Sequence, residues 1–201
     1  MLTLYLAPGT SSMAPHIALH EIGAAFDIRP LSFARKDQRD PAYLTINPEG
    51  KVPTLLVEGQ ALTEVAGILY YLARRFPEAG LLPESLEDQA AVVSWMSFLA
   101  ATVHMARSGG DERVREVLRQ AEARLGGRDW AVGETMTIAD IHLFRIFWRF
   151  RGSFDLGETA LQGLESHYAR MMARPSVQRT ISVEAAIGYE LPGTVRAPST
   201  T

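Results

Sequence analysis

Thr10-Ser11-Ser12 stands between Pro8-Gly9 and Met13-Ala14-Pro15, in a chain of 201 residues that contains no cysteine. Hydroxyls in front of a helix cap its free amides. At a helix N-terminus they also serve a bound anion, because the dipole favours negative charge there. Thr10, Ser11 and Ser12 are therefore candidates for capping this helix. Without cysteine there is no disulfide, no thiolate metal site and no cysteine nucleophile. His104 lies on an apolar helical stretch seven residues after Ser97, which puts the two on one face within about 20°. An imidazole that titrates near pH 6.5 polarises a water or helps to bind an electrophile. Glu64-Val65 opens another helical stretch, where a carboxylate is favoured by the dipole and the following amides bind anions. Val52-Pro53 directly precedes an apolar strand, Tyr5 sits on a strand with one buried face, and Lys36 lies in a connecting segment. No cluster of His, Asp or Glu has metal-ligand spacing, and no Gly-rich phosphate loop is present.

Alternation of Leu2, Leu4 and Leu6 with Thr3 and Tyr5 predicts a strand over 2–6. A helix follows over 13–22, with hydroxyl caps in front and Gly23 behind. Further strands are expected over 28–33, 52–57 and 61–63, with a helical turn at 42–45 and a hairpin at Glu58-Gly59-Gln60. Ile68, Leu69, Leu72 and Phe76 fall on one face of a helix over 65–76, which Pro77 ends. The order β-α-β-α-β-β-α, with one parallel crossover and one tight hairpin, is that of a thioredoxin-like α/β domain. From Glu87 onward all apolar spacing is helical, including Val114, Val117, Leu118, Ala121 and Leu125. Thr137-Ile138-Ala139-Asp140 fits a capping box ahead of Ile141, Phe144, Phe147 and Trp148, a stripe that marks a central helix. One more helix is expected over 159–173, and the tail after Ile187 is expected to be poorly ordered or draped on the surface.

Three segments, 5–16 (YLAPGTSSMAPH), 47–54 (NPEGKVPT) and 62–72 (LTEVAGILYYL), resemble in order and spacing the glutathione transferase superfamily, closest to its bacterial beta class. Residues 130–144 (WAVGETMTIADIHLF) are similar to the family's capping-box region. The resemblance implies a thioredoxin-like glutathione-binding domain at 1–79, a linker at 80–86 and an all-α domain at 87–201 that holds a hydrophobic second substrate. It places Ser11 where the beta class typically has a cysteine facing the glutathione sulfur, which points away from a mixed disulfide and towards the serine-type members. It further implies that a cis Val52-Pro53 bond presents the Val52 backbone to the cysteinyl part of glutathione. Glu64 then takes the γ-glutamyl ammonium, the Val65 N–H its carboxylate, and Lys36 the glycine carboxylate. His104 and Tyr5 resemble family residues near the sulfur. The chain departs from the family at Val65, where Ser or Thr is frequent, at Met105, where a lysine is familiar, and in a shortened loop over 107–113.

A composition of 47% hydrophobic and 21% charged residues is that of a chain that folds in water. A net charge of -3 offers no footprint for nucleic acid or anionic lipid. The N-terminus lacks a signal-peptide pattern, and the apolar region 95–106 is too short and too polar to span a bilayer, so a cytoplasmic location is expected. The resemblance implies a homodimer that uses glutathione as co-substrate and conjugates its thiolate to hydrophobic electrophiles. The alternatives are a glutathione-dependent reductase or isomerase, and a non-catalytic glutathione-binding or regulatory protein.

Overall fold

A computed structural model describes residues 1–190. β1 (Leu2–Leu6), β2 (Phe26–Pro30), β3 (Thr54–Val57) and β4 (Gln60–Thr63) form one sheet in the order β2-β1-β3-β4. β1 runs parallel to β2 and antiparallel to β3, with Leu4 opposite both Ile28 and Leu55, and β3 turns into β4 as a hairpin. The expected crossover and hairpin are both present, and fold class and element order agree with the sequence pattern. β2 begins two residues earlier than expected and ends at Pro30. Pairing with β1 sets its length, and the apolar Leu31 and Phe33 leave the sheet to pack on Ala7, Tyr43 and Val52.

α1 (Met13–Glu21) and α3 (Val65–Arg75) pack on each other, while α2 (Pro41–Ile46) is capped by Asp40, which accepts from the Ala42 amide at 2.7 Å. Capping of α1 by a hydroxyl is not what the structure shows. Ser12 occupies the cap position, but no side chain accepts from the first turn. From Leu86 on, the α-helices among the described residues are α4 (Leu86–Phe98), α5 (Gly110–Leu125), α6 (Ile138–Arg151), α7 (Gln162–Met172) and α8 (Pro175–Ile187).

α6 is the central helix that its stripe predicts, buried along nearly its whole length. Its capping box is formed: Thr137 accepts from the Ala139 amide, and the buried Asp140 accepts from the Thr137 amide at 2.8 Å. Asp140 also accepts from the Ala131 amide at 2.7 Å and pairs with His167 at 3.0 Å, so it ties three segments together. One continuous apolar core runs from Leu4 and Leu55 through α6 to Val177. α8 was missed from sequence, although Pro175 at its first position is a start signal. The tail reading falls almost wholly on residues 191–201, outside the described residues.

α4 continues as a π-turn (Leu99–Val103) and a 3₁₀ turn (His104–Ser108). The whole stretch Leu86–Ser108 is long and apolar enough to cross a membrane by length and composition, so the apolar region is longer than the 95–106 read from sequence. In the fold Val92, Trp95, Met96, Leu99 and Val103 on this stretch are buried in the core, against α6 among others.

Candidate active site

Pro8-Gly9 leads from β1 into a loop whose hydroxyls have separate tasks. Thr10 donates to the Ala7 carbonyl at 2.8 Å, and the Ser12 hydroxyl accepts from the Ala7 amide at 3.1 Å and lies 2.8 Å from the Thr10 hydroxyl. These two brace the loop from inside. Ser11 instead reaches across 41 residues of sequence and donates to the Val52 carbonyl at 3.0 Å. The loop is also held from a helix that sequence reasoning missed: Glu184 on α8 accepts from the Gly9 amide at 2.7 Å and pairs with His16 of α1 at 3.0 Å, with Glu184 fully buried.

The opposite wall is the loop that carries NPEGKVPT. Buried Asn47 donates to the Lys51 carbonyl at 3.0 Å and to the Thr54 hydroxyl at 2.9 Å, and accepts from the Glu49 amide at 3.1 Å. Gly50 is required at the turn: its φ is +61°, and a Cβ there would lie 2.7 Å from the Gln38 carbonyl. The Val52-Pro53 bond is cis. Tyr5 packs on Tyr43 with ring centroids 5.3 Å apart and planes tilted by 43°, in one apolar cluster with Val52, and so supports this loop.

At the head of α3, Glu64 has φ +64° and ψ +129°, a backbone state rarely adopted by a side-chain-bearing residue, at a cost of order 1–3 kcal/mol. Its carboxylate is exposed, does not cap the helix and makes no hydrogen bond among the described residues.

Ser11, Val52, Pro53, Glu64, Val65 and His104 line one open cavity of about 840 Å³ between the sheet side and the helical side. Tyr5 and Lys36 are not among its lining residues; Lys36 is exposed with a left-handed backbone, φ +62°. The shared face of Ser97 and His104 is lost. The π-turn at Leu99–Val103 shifts the helix phase between them, and Ser97 is exposed and outside the lining.

His104 is also not a group poised near neutrality. Burial, followed by the Arg145 and Arg107 charges, pushes its pKa down to about 3. Its Nδ1 accepts from the Arg145 guanidinium at 3.3 and 3.4 Å, which leaves the ring proton on Nε2. Arg145 lies on α6, one turn after the equally buried His142. Both line the cavity, and sequence reasoning missed them. The available signal was a His and an Arg inside an apolar stripe already read as buried.

The chain matches the description "Glutathione S-transferase, N-terminal domain" over residues 1–74 and "Glutathione S-transferase, C-terminal domain" over residues 107–175. It is 32% identical to glutathione S-transferase GST-4.5 of Xanthomonas campestris pv. campestris, covering 90% of this chain and 98% of that one. It is similar to the bacterial beta class glutathione S-transferase of Sphingomonas chungbukensis (TM-score 0.79, 34% identity, 90% of this chain and 98% of that chain). It is equally similar to a sphingomonad glutathione S-transferase complexed with glutathione (TM-score 0.80, 33% identity, 91% and 98%).

Proposed function

Since the chain belongs to the glutathione S-transferase family, we propose that it binds glutathione in the cavity and transfers the thiolate to an electrophile held against the helical side. The observation that carries this reading is the convergence on one cavity of a loop hydroxyl, Ser11, with the backbone beside a cis-proline, Val52, and the strained Glu64 at a helix N-terminus. The donor set fits the tripeptide. The Val52 backbone suits a peptide group in the manner of an added strand, the Glu64 carboxylate an ammonium, and the first amides of α3 a carboxylate.

Bound there, glutathione supplies a thiol whose anion is the nucleophile. A free thiol of pKa near 8.5 is only a few per cent thiolate at pH 7. Ser11 and the N-terminus of α1 both favour the anion, and a depression of two units corresponds to about 2.7 kcal/mol. In the structure the Ser11 proton is engaged with the Val52 carbonyl, so stabilising sulfur requires it to change acceptor. His104, neutral in this setting, acts as an Nε2–H donor and not as a general acid. Division at residues 80–86, a cytoplasmic location and a homodimer belong to the same proposal.

Calorimetric titration with glutathione, with the ultraviolet absorbance of bound thiolate followed against pH, tests it. Binding with a thiol pKa well below 8.5 is expected. Binding without a shift overturns the activating role and favours a non-catalytic module, whereas no binding removes the functional reading and leaves the fold. Conjugation is distinguished from reduction or isomerisation by whether a thioether product accumulates.

A further inference from the structure

The helical side of the cavity is electrically one-sided. Arg107 and Arg145 line it, and among the described residues no Asp or Glu does. The acidic lining residues, Glu49 and Glu64, come from the opposite wall, and Glu49 is paired with Lys51 at 2.9 Å. Arg145 is the centre of this asymmetry. Its side chain is 2% exposed, its only hydrogen-bond partner among the described residues is His104 Nδ1, and its buried Nε has no acceptor.

A buried guanidinium without a carboxylate is costly, and completing the pair recovers much of that cost because the fork matches two oxygens of one anion. Among the described residues none supplies those oxygens. The neighbouring imidazoles do not either: burial and the Arg145 charge hold His104 and His142 neutral, so they add no negative charge. Ala100, Met105, Phe150 and Phe154 on this wall are apolar, and Ser153 adds a hydroxyl.

From this juxtaposition we propose that Arg145, assisted by Arg107, is an anion subsite in the electrophile half of the cavity. The second substrate is then an apolar electrophile bearing a carboxylate or an equivalent oxyanion, rather than a neutral hydrophobe. The inference rests on reading the cavity as a glutathione transferase site and narrows its substrate class.

The test uses 4-chloro-3-nitrobenzoate against 4-chloro-3-nitrobenzamide, a pair of similar shape that differs in charge. In both, thiolate attack forms a C–S bond as the C–Cl bond breaks and chloride leaves. After division by the solution rates, the kcat/KM ratio of anion to amide is expected to be tenfold or more in the wild-type protein. It should fall at least tenfold in Arg145→Met, largely recover in Arg145→Lys, and fall a few fold in Arg107→Met, which alters an exposed residue and tests the subsite even if the α6 variants fold poorly.

A ratio near one in the wild-type protein overturns the proposal, as does a loss in Arg145→Met that appears in the KM for glutathione and leaves the ratio unchanged. Calorimetry with unreactive 4-methyl-3-nitrobenzoate and its amide, with and without glutathione, separates the two readings. Anion binding that disappears in Arg145→Met, in a protein without turnover, upholds the subsite and refutes the transferase reading. Turnover without charge preference does the reverse.

Discussion

Ser11 and His104 face the same cavity with protons in opposite situations. Ser11 has a proton to give and, in the structure, gives it to the Val52 carbonyl. Ser11→Ala is expected to lower kcat tens of fold or more while glutathione affinity stays within a few fold; steady-state kinetics with a calorimetric Kd checks this, and unchanged turnover refutes the role. His104 is neutral when folded, with its pKa pushed down to about 3, and regains an ordinary value near 6.5 when the chain unfolds. Between these values the unfolded chain binds more protons, so stability rises with pH there. The contribution is fully present above about pH 6.5 and is lost as pH falls towards 3. His20, lowered to about 4, and His142, lowered by burial, act in the same direction. Denaturant midpoints at pH 7 and pH 5 should therefore differ less in His104→Gln than in the wild-type protein, while part of the difference remains.

Among elements, α8 makes the least expected contribution. It lies on the far side of the sequence from β1, yet its Glu184 holds the Gly9 amide and His16, and thereby the loop that presents Ser11. Removing Glu184 leaves the Gly9 amide and the buried His16 nitrogen without their partner, at a cost of about 1–3 kcal/mol for an unsatisfied buried group. Glu184→Ala should shift the urea unfolding midpoint accordingly. It should also raise the pKa of bound glutathione thiol, read by thiolate absorbance, because the loop geometry loosens; an unchanged thiol pKa in a folded variant would confine Glu184 to a structural role. α4 shows a different effect. Its π-turn ends the simple periodicity that sequence reasoning extends to His104, and so re-aims that side chain towards α6.

At the scale of the whole molecule, the apolar core is continuous between the sheet and the helices, and the cavity opens between them. Tyr70 on α3 and Leu86 and Val93 on α4 leave large apolar side chains exposed. A homodimer is expected, with light scattering giving about twice the chain mass of 22.1 kDa; a monomer at micromolar concentration refutes it. The β-α-β-α-β-β-α order, the capping box and the segment NPEGKVPT were legible in sequence because each rests on local chemistry: alternation, amide capping, and turn residues such as Gly50. Ser11 and Glu64 were legible as helix-entry residues for the same reason. The sequence by itself thus determined the elements of the first half, their order, the central helix α6 and the residues that enter the first-half wall of the cavity. Only the tertiary structure decided which loop hydroxyl reaches the Val52 carbonyl, that Glu184 fastens the Ser11 loop from the last described helix, and that His104 is neutral beside a guanidinium that no carboxylate among the described residues pairs. Each of these depends on burial and on partners 41 or more residues away, and spacing along the chain carries no record of either.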